Sequence, residues 1–594
     1  MIKIKKLVII ASVTIVMALA AAQTDLVRID MAHEDLTALV KQGLTVVRVL
    51  DHCALVLTSN DGLSKLSAYR VHVLDRDPAQ HELYVVYDPV HMVDLTRYGD
   101  VLTTDGPAHV VRLFPGMLED LTRQRVELAK MFLKPVATPK GYSLPSVCVD
   151  PIVQQIVADV SADTILSFVL RLQKFRTRYS THDSCDAAAN WVASKFTAYG
   201  CDTVYLEYHT GGHAPNVIGI KRGVIYPDSI YAVIDGHLDA TSDQAPNIAP
   251  GADDNGSGTV AAIEAARVMK DYLFEYTAVY IAFTGEEFGL YGSEYYAGQA
   301  DARNDVILGV LNGDMIAYSD YLPESLEVLH NSSNLSFANF FIACADTYTT
   351  LLTDRHQVSS VPSDIQPFYD HGYPGICTIE DYWPTNPHYH MTSDTIGAGY
   401  NNNAFCTEGT KAEIAALSIL IKPYGSGTMP AIPTIIKPLD FARLPTVQPT
   451  LSFMSTDPNG DQIQYRVMWD TDPGFASPDS STTATYPSGN TVDFVFPASL
   501  PDGSTYWWKV KCADPAGSGF WTNYTEARSL TIGTSLPEST CSWYQTTGAQ
   551  FGFNAFNGTH VQGDSVLLLS VGYVLDTLLE QNFEASGSIP SGWT

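Results

Sequence analysis

The chain has 594 residues, with 65 acidic side chains against 35 basic ones and a net charge of −30. A charge of this size and sign repels nucleic acid and anionic membrane surfaces, so neither is expected as a partner. With 45% hydrophobic residues and no long low-complexity tract, the composition excludes a disordered chain and predicts several globular domains.

Residues 1–22, MIKIKKLVIIASVTIVMALAAA, predict a secretory signal peptide. Basic residues at Lys3 and Lys5 precede an apolar core of about a dozen residues, and small residues follow it. We expect cleavage after Ala20 or Ala22 and an extracellular protein. A retained membrane anchor is the alternative, but the apolar stretch is short for a membrane span and no later segment approaches one. No membrane insertion is therefore expected.

Residues 23–140 predict a small α/β domain. Segments rich in β-branched residues, such as LTVVRVL, CALVLTS and RVHVLD, alternate with helical stretches such as HEDLTALVKQG and GLSKLSAY. The sequence leaves two roles open for this region, an inhibitory pro-segment or a structural appendage.

Residues 141–425 predict the main domain, an α/β fold with a mixed central sheet sandwiched by helices, because strand and helix patterns alternate regularly. Within it, IAFTGEEFGLYGSEYY reads as a buried strand, then the adjacent carboxylates Glu286 and Glu287, then a helix. Sheets of this kind bind ligands where strands give way to helices. The two glutamates are therefore candidates for a functional site rather than for a solvated helix face.

Four further segments supply imidazoles or carboxylates at predicted strand ends or in loops. They are His237 and Asp239 in GHLDAT, Asp253 and Asp254 in PGADDNGSG, Asp314 in LNGDMI, and His388, His390 and Asp394 in NPHYHMTSDT. Each fragment alone is weak evidence, because a lone His-x-Asp pair is more often structural. Together they form the ligand set of a hard or borderline divalent ion such as zinc.

The ordered set of motifs resembles the co-catalytic zinc aminopeptidases of the bacterial leucyl aminopeptidase type, which are related to glutamate carboxypeptidases and glutaminyl cyclases. The resemblance covers roughly residues 150–425, where NVIGIKRG, GHLDAT, PGADDNGSG, FTGEEFGLYGS, LNGDMI and YHMTSDT follow one another. It implies the zinc exopeptidase fold and two zinc ions per chain. Carried over by position, Asp254 would bridge the ions, His390 and Glu287 would complete one, and His237 and Asp314 the other.

The resemblance also implies two residues that act on the metal ligands or the substrate. Asp239 would hold the His237 ring, and Glu286 would act as general acid/base, passing a proton from the attacking water to the leaving amine. The chain departs from many relatives in PSDIQPFYDHGYPG, where Ile365 stands in place of a histidine and His371 is out of register. The departure leaves the metal set complete and concerns the shape of the specificity pocket.

Three functions remain open: an exopeptidase that removes N-terminal residues, a carboxypeptidase or glutaminyl cyclase of the same superfamily, and a non-catalytic binding protein on the same scaffold. A substrate carboxylate calls for Arg or Lys near the metals. Between residues 223 and 400 the basic residues are Arg267, Lys270, Arg303 and Arg355. The scarcity of positive charge favours a substrate that presents an ammonium group, and hence an aminopeptidase acting on peptide or protein N-termini.

Other motifs add little to this interpretation. The sequence has no HExxH and no GxSxG, which leaves a zincin or a serine hydrolase unsupported. Nine cysteines at irregular spacings without CxxC exclude a zinc ribbon and a dense disulfide scaffold. The sequon Asn255-Gly256-Ser257 lies inside the expected metal loop and is interpreted as a chance match.

The C-terminal part follows a Pro/Gly-rich linker, KPYGSGTMPAIPTIIKP. Residues 430–535 have the alternation and the Asp/Asn-Gly turns of an all-β sandwich and resemble a fibronectin type III-like module. Residues 536–594 resemble the start of a further β-rich extracellular module, and we expect the sequence to be truncated there. Such modules would provide any attachment to a cell surface or extracellular matrix.

Overall fold

The computed structural model describes residues 24–30, 44–63, 66, 69–141, 143–380, 386–424 and 429–533, together with the backbone of four short strands beyond them. The expected signal peptide lies outside the described residues, as do the predicted helix HEDLTALVKQG and most of the expected last module. Contacts divide the chain into two compact units, one of residues up to 423 without 271–273 and one of 271–273 with residues from 424 onward.

The N-terminal part of the first unit consists of two four-stranded antiparallel sheets. The first has the order β2-β3-β1-β4 and contains β1 (Asp25–Asp30), β2 (Thr45–Val49), β3 (Cys53–Thr58) and β4 (Arg70–Asp75). The second has the order β6-β7-β5-β8 and contains β5 (Leu83–Tyr87), β6 (Gly99–Asp105), β7 (Ala108–Leu113) and β8 (Glu127–Lys130). Short helices cover Asn60–Leu63 and Leu118–Thr122. The two sheets share a buried core that Leu290 of the main domain joins.

The main domain is built on an eight-stranded mixed sheet with the order β15-β14-β16-β13-β11-β12-β10-β9. Its strands are β9 (Thr203–Glu207), β10 (Asn216–Lys221), β11 (Tyr226–His237), β12 (Tyr276–Phe283), β13 (Val306–Gly313), β14 (Ser325–His330), β15 (Leu352–Gln357) and β16 (Gly375–Glu380). The four central strands β12, β11, β13 and β16 are mutually parallel, so their carboxyl ends share one edge. This sheet confirms the predicted α/β fold class.

Helices cover both faces of the central sheet, which explains why β12 reads as the unbroken apolar run AVYIAF. The helices are Pro151–Ala158, Ala162–Gln173, Asp183–Ala198, Gly256–Met269, Tyr291–Arg303, Leu335–Tyr348, Ile365–Asp370 and Asn403–Ile421. On β11, Val233 lies in a buried cluster with Ala297 of the helix Tyr291–Arg303. Gly236 faces the helix Gly256–Met269, where an added Cβ would lie 2.5 Å from the backbone of Gly258. Alternate residues of one strand thus face opposite layers. Among the described residues no single helix is long and apolar enough to cross a membrane, although the bent pair Pro151–Ala158 and Ala162–Gln173 together meets that test.

The second unit contains two sheets of a β-sandwich around a common core, antiparallel except for the parallel pair β18 and β24. One sheet has the order β17-β19-β22 and the other β18-β24-β23-β20-β21. The strands are β17 (Thr434–Lys437), β18 (Ala442–Leu444), β19 (Thr450–Met454), β20 (Ile463–Asp470), β21 (Asp479–Tyr486), β22 (Val492–Val495), β23 (Thr505–Ala513) and β24 (Arg528–Ile532). Phe453, Tyr465 and Trp508 from both sheets are buried together. The likeness to a fibronectin type III module stays a prediction.

Two short strand pairs follow the sandwich. Antiparallel pairing joins β25 (Trp543–Gln545) to β26 (Phe551–Phe553) and β27 (Ser565–Leu569) to β28 (Leu578–Asn582). The further module expected over residues 536–594 and the boundaries expected for each domain stay predictions.

Candidate metal centre

The predicted site residues lie at the carboxyl edge of the central sheet. His237 is the last residue of β11, and Asp314 directly follows β13. Glu286 and Glu287 lie between β12 and the helix Tyr291–Arg303. Because β11, β12 and β13 run parallel, residues far apart in the chain meet at this edge.

Asp254 lies between two histidines and faces one with each carboxylate oxygen. His237 Nε2 is 3.4 Å from Asp254 Oδ1, and His390 Nε2 is 3.4 Å from Asp254 Oδ2. Around these pairs, His237 Nε2 is also 3.4 Å from Asp314 Oδ1, and His390 Nε2 is 3.0 Å from Glu287 Oε2. The structure therefore brings together the five predicted metal ligands in two sets that share Asp254.

The charges at this edge are those of a site built for cations. Glu286 and Glu287 are buried, and burial raises the pKa of Glu287 and raises that of Glu286 well above its usual range. Burial alone would lower the pKa of His390, but Glu287 and Asp254 raise it to about 10. Buried carboxylates in such numbers are stable when a cation neutralises them. Imidazole nitrogens with carboxylate oxygens are a donor set that fits zinc.

Asp239 contacts both the His237 ring and the backbone of Glu286. His237 Nδ1 lies 3.0 Å from the backbone carbonyl oxygen of Asp239 and 3.9 Å from its carboxylate. Asp239 therefore contacts the ring chiefly through its peptide carbonyl, because the chain turns so that this oxygen is nearer than the carboxylate. The carboxylate Oδ1 instead accepts a hydrogen bond of 3.3 Å from the backbone N–H of Glu286. Asp239 thus orients both the imidazole and the glutamate pair.

Comparison with known proteins shows which family part of the chain is similar to. Residues 216–406 match the profile of Peptidase family M28. This segment is therefore similar to the members of that family. The resemblance stated from the motifs is confirmed for this segment.

Individual proteins that are similar to this part of the chain have related descriptions. A "Probable zinc metalloprotease" of Pyrenophora tritici-repentis is 32% identical over 29% of this chain and 40% of its own length. A "Probable leucine aminopeptidase" of Arthroderma otae is 27% identical over 44% of this chain and 74% of its own. The chain thus spans well under half of the first relative. A crystal structure of the aminopeptidase LapA from Legionella pneumophila aligns over 57% of this chain and 98% of that chain, at 20% identity and a TM-score of 0.49.

Neighbouring polar groups hold the carboxylates of the candidate metal centre in place. Ser363 Oγ donates a hydrogen bond of 2.6 Å to Asp314 Oδ2, and the backbone N–H of Thr241 donates one of 2.9 Å to Glu287 Oε1. Each carboxylate is thereby fixed through one oxygen while the other faces a histidine. Such supporting contacts orient metal ligands before an ion binds.

Arg178, which the sequence did not single out, and Asp394, which it offered as a candidate ligand, fix the backbone of the site's loops. Arg178 is buried and donates hydrogen bonds of 2.7, 2.6 and 2.7 Å to the carbonyl oxygens of Leu238, Pro250 and Gly251. Asp394 accepts hydrogen bonds from the backbone N–H groups of Asp253 and Asp254, at distances from 3.0 to 3.2 Å. Asp394 lies in the YHMTSDT motif, which was the available signal, whereas nothing in the sequence near Arg178 marks it.

Asn255 joins the metal loop to the sheet. Its side chain is fully buried, donates 2.8 Å to the carbonyl oxygen of Gly313 and accepts 2.8 Å from the N–H of Gly258. Both ends of the amide are therefore engaged inside the fold. This geometry supports the interpretation of the Asn255 sequon as a chance match.

Other predicted candidates lie outside the cluster or change its surroundings. His388 pairs with Ser393 Oγ at 2.9 Å, away from the two ligand sets. Ile365 is buried in the core at the start of its helix, and His371 lies 3.3 Å from Asp301. Asp364, the aspartate of the same PSD segment, is buried near the site, and burial raises its pKa to about 7 with a further contribution from Asp314. Asp364 was not singled out from the sequence.

A segment of the N-terminal part, residues 118–130, lies against the metal centre. The carbonyl oxygen of Gln124 accepts a hydrogen bond of 2.6 Å from His390 Nδ1, and that of Thr122 accepts one of 2.9 Å from Thr241 Oγ1. Glu127 accepts a hydrogen bond from the hydroxyl of Tyr389. Burial, with Asp254 and other carboxylates adding to it, raises the pKa of Glu127 to about 8. No pattern in the sequence of residues 23–140 signals these contacts.

Proposed function

We propose that the chain is a secreted zinc aminopeptidase that removes N-terminal residues from peptides with the help of a dinuclear zinc site. The observation that carries the proposal is Asp254, whose two oxygens each face one imidazole at 3.4 Å. A single carboxylate shared in this way by two ligand sets is the arrangement that a bridging ligand needs.

The ligands would be divided between the two ions as the resemblance implies. His237 and Asp314 would hold one ion, His390 and Glu287 the other, and Asp254 both. Paired divalent ions supply charge that polarises a scissile carbonyl and lowers the pKa of water. The buried Nδ1 contacts of both histidines, to carbonyl oxygens, leave each Nε2 free to act as the donor atom.

Glu286 is the residue suited to move the proton. Its Oε1 is buried without a hydrogen-bond partner in the structure, and its backbone is held by Asp239. A carboxylate whose free oxygen faces the reacting groups can accept a proton from the attacking water and return it to the leaving amine. The ligand atoms of His237, Glu286 and Asp314 also lie within 4.8 Å of one another, so the Glu286 carboxylate lies beside the position of the ion that His237 and Asp314 would hold.

The charge of the site favours a substrate ammonium over a substrate carboxylate. The ion pairs recorded for the ligand carboxylates among the described residues are all with His237 and His390. Arg178, the buried guanidinium nearby, is committed to three carbonyl oxygens. A net excess of carboxylates attracts a cationic amino terminus. An amino terminus would therefore bind here in preference to a carboxyl terminus.

The test is a panel of matched peptides with a free amine, an acetylated amine or a blocked carboxyl terminus, assayed with protein of known zinc content. We expect hydrolysis of the free-amine and carboxyl-blocked peptides, no hydrolysis of the acetylated ones, and two zinc ions per chain after dialysis. Cleavage that requires a free carboxylate would instead indicate a carboxypeptidase. One zinc with cyclisation of N-terminal glutamine would indicate a cyclase, and no zinc and no turnover a binding protein.

Secretion is part of the same proposal and has its own measurement. When the full sequence is expressed in a secretion-competent bacterium, we expect the exported protein to begin at residue 21 or 23, because the small residues Ala20 and Ala22 follow the apolar core. N-terminal sequencing checks this, and a retained residue 1 in the membrane fraction would contradict it.

A further inference from the structure

Three carboxylates meet at one end of the β-sandwich unit. Asp457 lies in the loop between β19 and β20, Asp461 just before β20, and Asp514 directly after β23. β20 and β23 pair antiparallel with Gln464 opposite Ala513, so the start of one strand lies beside the end of the other. One ligand oxygen from each of the three carboxylates lies within 4.8 Å of the others.

The Asp457 carboxylate is buried with one oxygen unsatisfied. The residue is 5% exposed. Its Oδ1 accepts hydrogen bonds from the backbone N–H groups of Asn459 at 2.9 Å and Asp461 at 3.1 Å. Its Oδ2 is buried and has no hydrogen-bond partner among the described residues. A buried anionic oxygen without a partner is unfavourable unless a cation neutralises it.

The groups around Asp457 increase this unfavourable charge. Burial raises the pKa of the Asp457 carboxyl, and the neighbouring charges of Asp514 and Asp461 raise it further. The same neighbours that repel one another as anions are oriented to share a cation. Once a cation occupied the space between them, its attraction for each carboxylate would outweigh the repulsion among the carboxylates.

A glycine leaves room at the cluster, and the turn beside it is fixed. A Cβ on Gly517 would lie 2.4 Å from Oδ2 of both Asp461 and Asp514, so a side chain there would displace the carboxylates. The N–H groups of Gly517 and Gly519 donate to the carbonyl oxygen of Asp514 at 3.0 and 3.1 Å. The N–H of Ser518 donates to Asp514 Oδ2 at 2.8 Å. The Asp514 ligand is therefore positioned before any ion binds.

We propose that Asp457, Asp461 and Asp514 bind one calcium ion. Calcium takes oxygen ligands at about 2.3–2.6 Å, so two oxygens on opposite sides of one ion are about 4.6–5.2 Å apart. Oxygens that all lie within 4.8 Å of one another are close enough to contact one such ion together. An all-oxygen set without imidazole or thiolate selects a hard cation rather than zinc. Peptide carbonyls and water would fill the remaining positions, and the ion would tie the β19–β20 loop to the end of β23.

The site is tested by titrating calcium into the zinc-loaded full chain in a calorimeter, with Asp461→Asn as the site variant. Asp479→Asn is the matched control, because Asp479 makes the same charge change at an exposed position of β21 in the same unit. We expect one calcium ion per chain for the unchanged protein and the control, and binding at least about ten-fold weaker for Asp461→Asn. Calcium should also raise the Tm of the first two and leave that of Asp461→Asn nearly unchanged.

A second variant tests the proposal if Asp461→Asn is poorly folded. Gly517→Ala adds one methyl group against two of the carboxylates, retains every charge and should weaken calcium binding in the same way. The proposal is overturned if the unchanged protein binds no calcium at roughly millimolar concentrations, the range of weak extracellular sites. It is also overturned if both site variants bind calcium as tightly as the control, or if magnesium binds equally well.

Discussion

Glu286 and Glu287 are neighbours in the chain but contact different groups. Glu287 is held at both oxygens, by the N–H of Thr241 at 2.9 Å and beside His390 Nε2 at 3.0 Å. Glu286 is held through its backbone, by Asp239 at its N–H and by the N–H groups of Gly289 and Leu290 at its carbonyl oxygen, and its Oε1 has no hydrogen-bond partner among the described residues. A fixed carboxylate suits a metal ligand, and a free buried oxygen suits a group that exchanges a proton.

The two glutamates should therefore fail differently when changed to the matching amide. Glu286→Gln keeps size and shape but cannot accept a proton, so zinc content should be retained while kcat falls by roughly 10²–10⁴. Glu287→Gln removes an anionic ligand, so one zinc ion should be weakened or lost together with activity. Each variant serves as the control of the other, with zinc measured by elemental analysis and turnover on a free-amine peptide. Near-normal turnover of Glu286→Gln, or loss of zinc from it alone, would reverse the assignment of roles.

At the residue scale, the sequence predicted groups whose chemistry is visible in a motif and missed those whose role depends on the backbone. The ligand candidates from Asp254 to His390 could be predicted because histidines and carboxylates recur at strand ends in a known order. Arg178 could not, since it acts through three peptide carbonyls of loops far away in the chain. The same applies to the group that orients the His237 ring, which is a peptide carbonyl of the kind that every residue possesses.

At the scale of elements, the turn after β12 contacts the N-terminal part of the unit. The N–H of Lys130, at the end of β8, donates to the carbonyl oxygen of Gly289 at 3.3 Å. Gly289 has φ +112°, and a Cβ there would lie 2.8 Å from the ring of Tyr84 and 2.9 Å from the nitrogen of Lys130. Because Gly289 has no side chain and adopts a positive φ without strain, β8 can approach the turn that contains Glu286.

Gly289→Ala should consequently affect both stability and catalysis. The positive φ alone costs on the order of 1–3 kcal/mol for a residue with a side chain, and the clash with β8 adds to it. Movement of the turn would displace the two glutamates, so kcat should fall as well. Denaturant unfolding and peptide turnover measure the two effects.

A second glycine nearby provides the control. Gly298 lies within the helix Tyr291–Arg303, and a Cβ there would be 3.6 Å from its nearest neighbour, an ordinary contact. Gly298→Ala should be neutral or stabilise the protein by up to about 1 kcal/mol, because alanine favours the helix. If Gly289→Ala behaves like Gly298→Ala, the approach of β8 to the turn has no functional consequence.

Elements of the central sheet were predictable to the extent that their patterns are local. The apolar run of β12, the carboxylates after it and the following helix appear in the structure in the predicted order. The placement of residues 118–130 beside His390 was not predictable, because periodicity identifies a strand or helix but contains no information about which distant loop it contacts. For that reason the sequence left open whether the N-terminal region inhibits the enzyme or supports it.

At the scale of the whole molecule, the candidate metal centre lies entirely within one compact unit. Every ligand candidate, the general base candidate and the contacts from residues 118–130 precede residue 423, where the first unit ends. The second unit has its own buried core around Trp508 and needs no residue of the first to form it. The change in sequence texture at the Pro/Gly-rich linker predicts a domain boundary there, because such a composition is typical of linkers between domains.

A chain that ends at Tyr424 should therefore keep its activity on small substrates. Hydrolysis of an amino-acid anilide by this truncated form is expected to match that of the full chain in kcat and KM, because no proposed ligand or base is removed. The segment 271–273 groups with the second unit, and the carbonyl oxygen of Leu273 accepts a hydrogen bond of 2.8 Å from the N–H of Tyr424, so Tyr424 is kept. Circular dichroism and zinc content serve as controls for folding. A folded, zinc-loaded truncated chain that has lost turnover would show that the β-sandwich unit takes part in the reaction, contrary to the location of all the site residues before it.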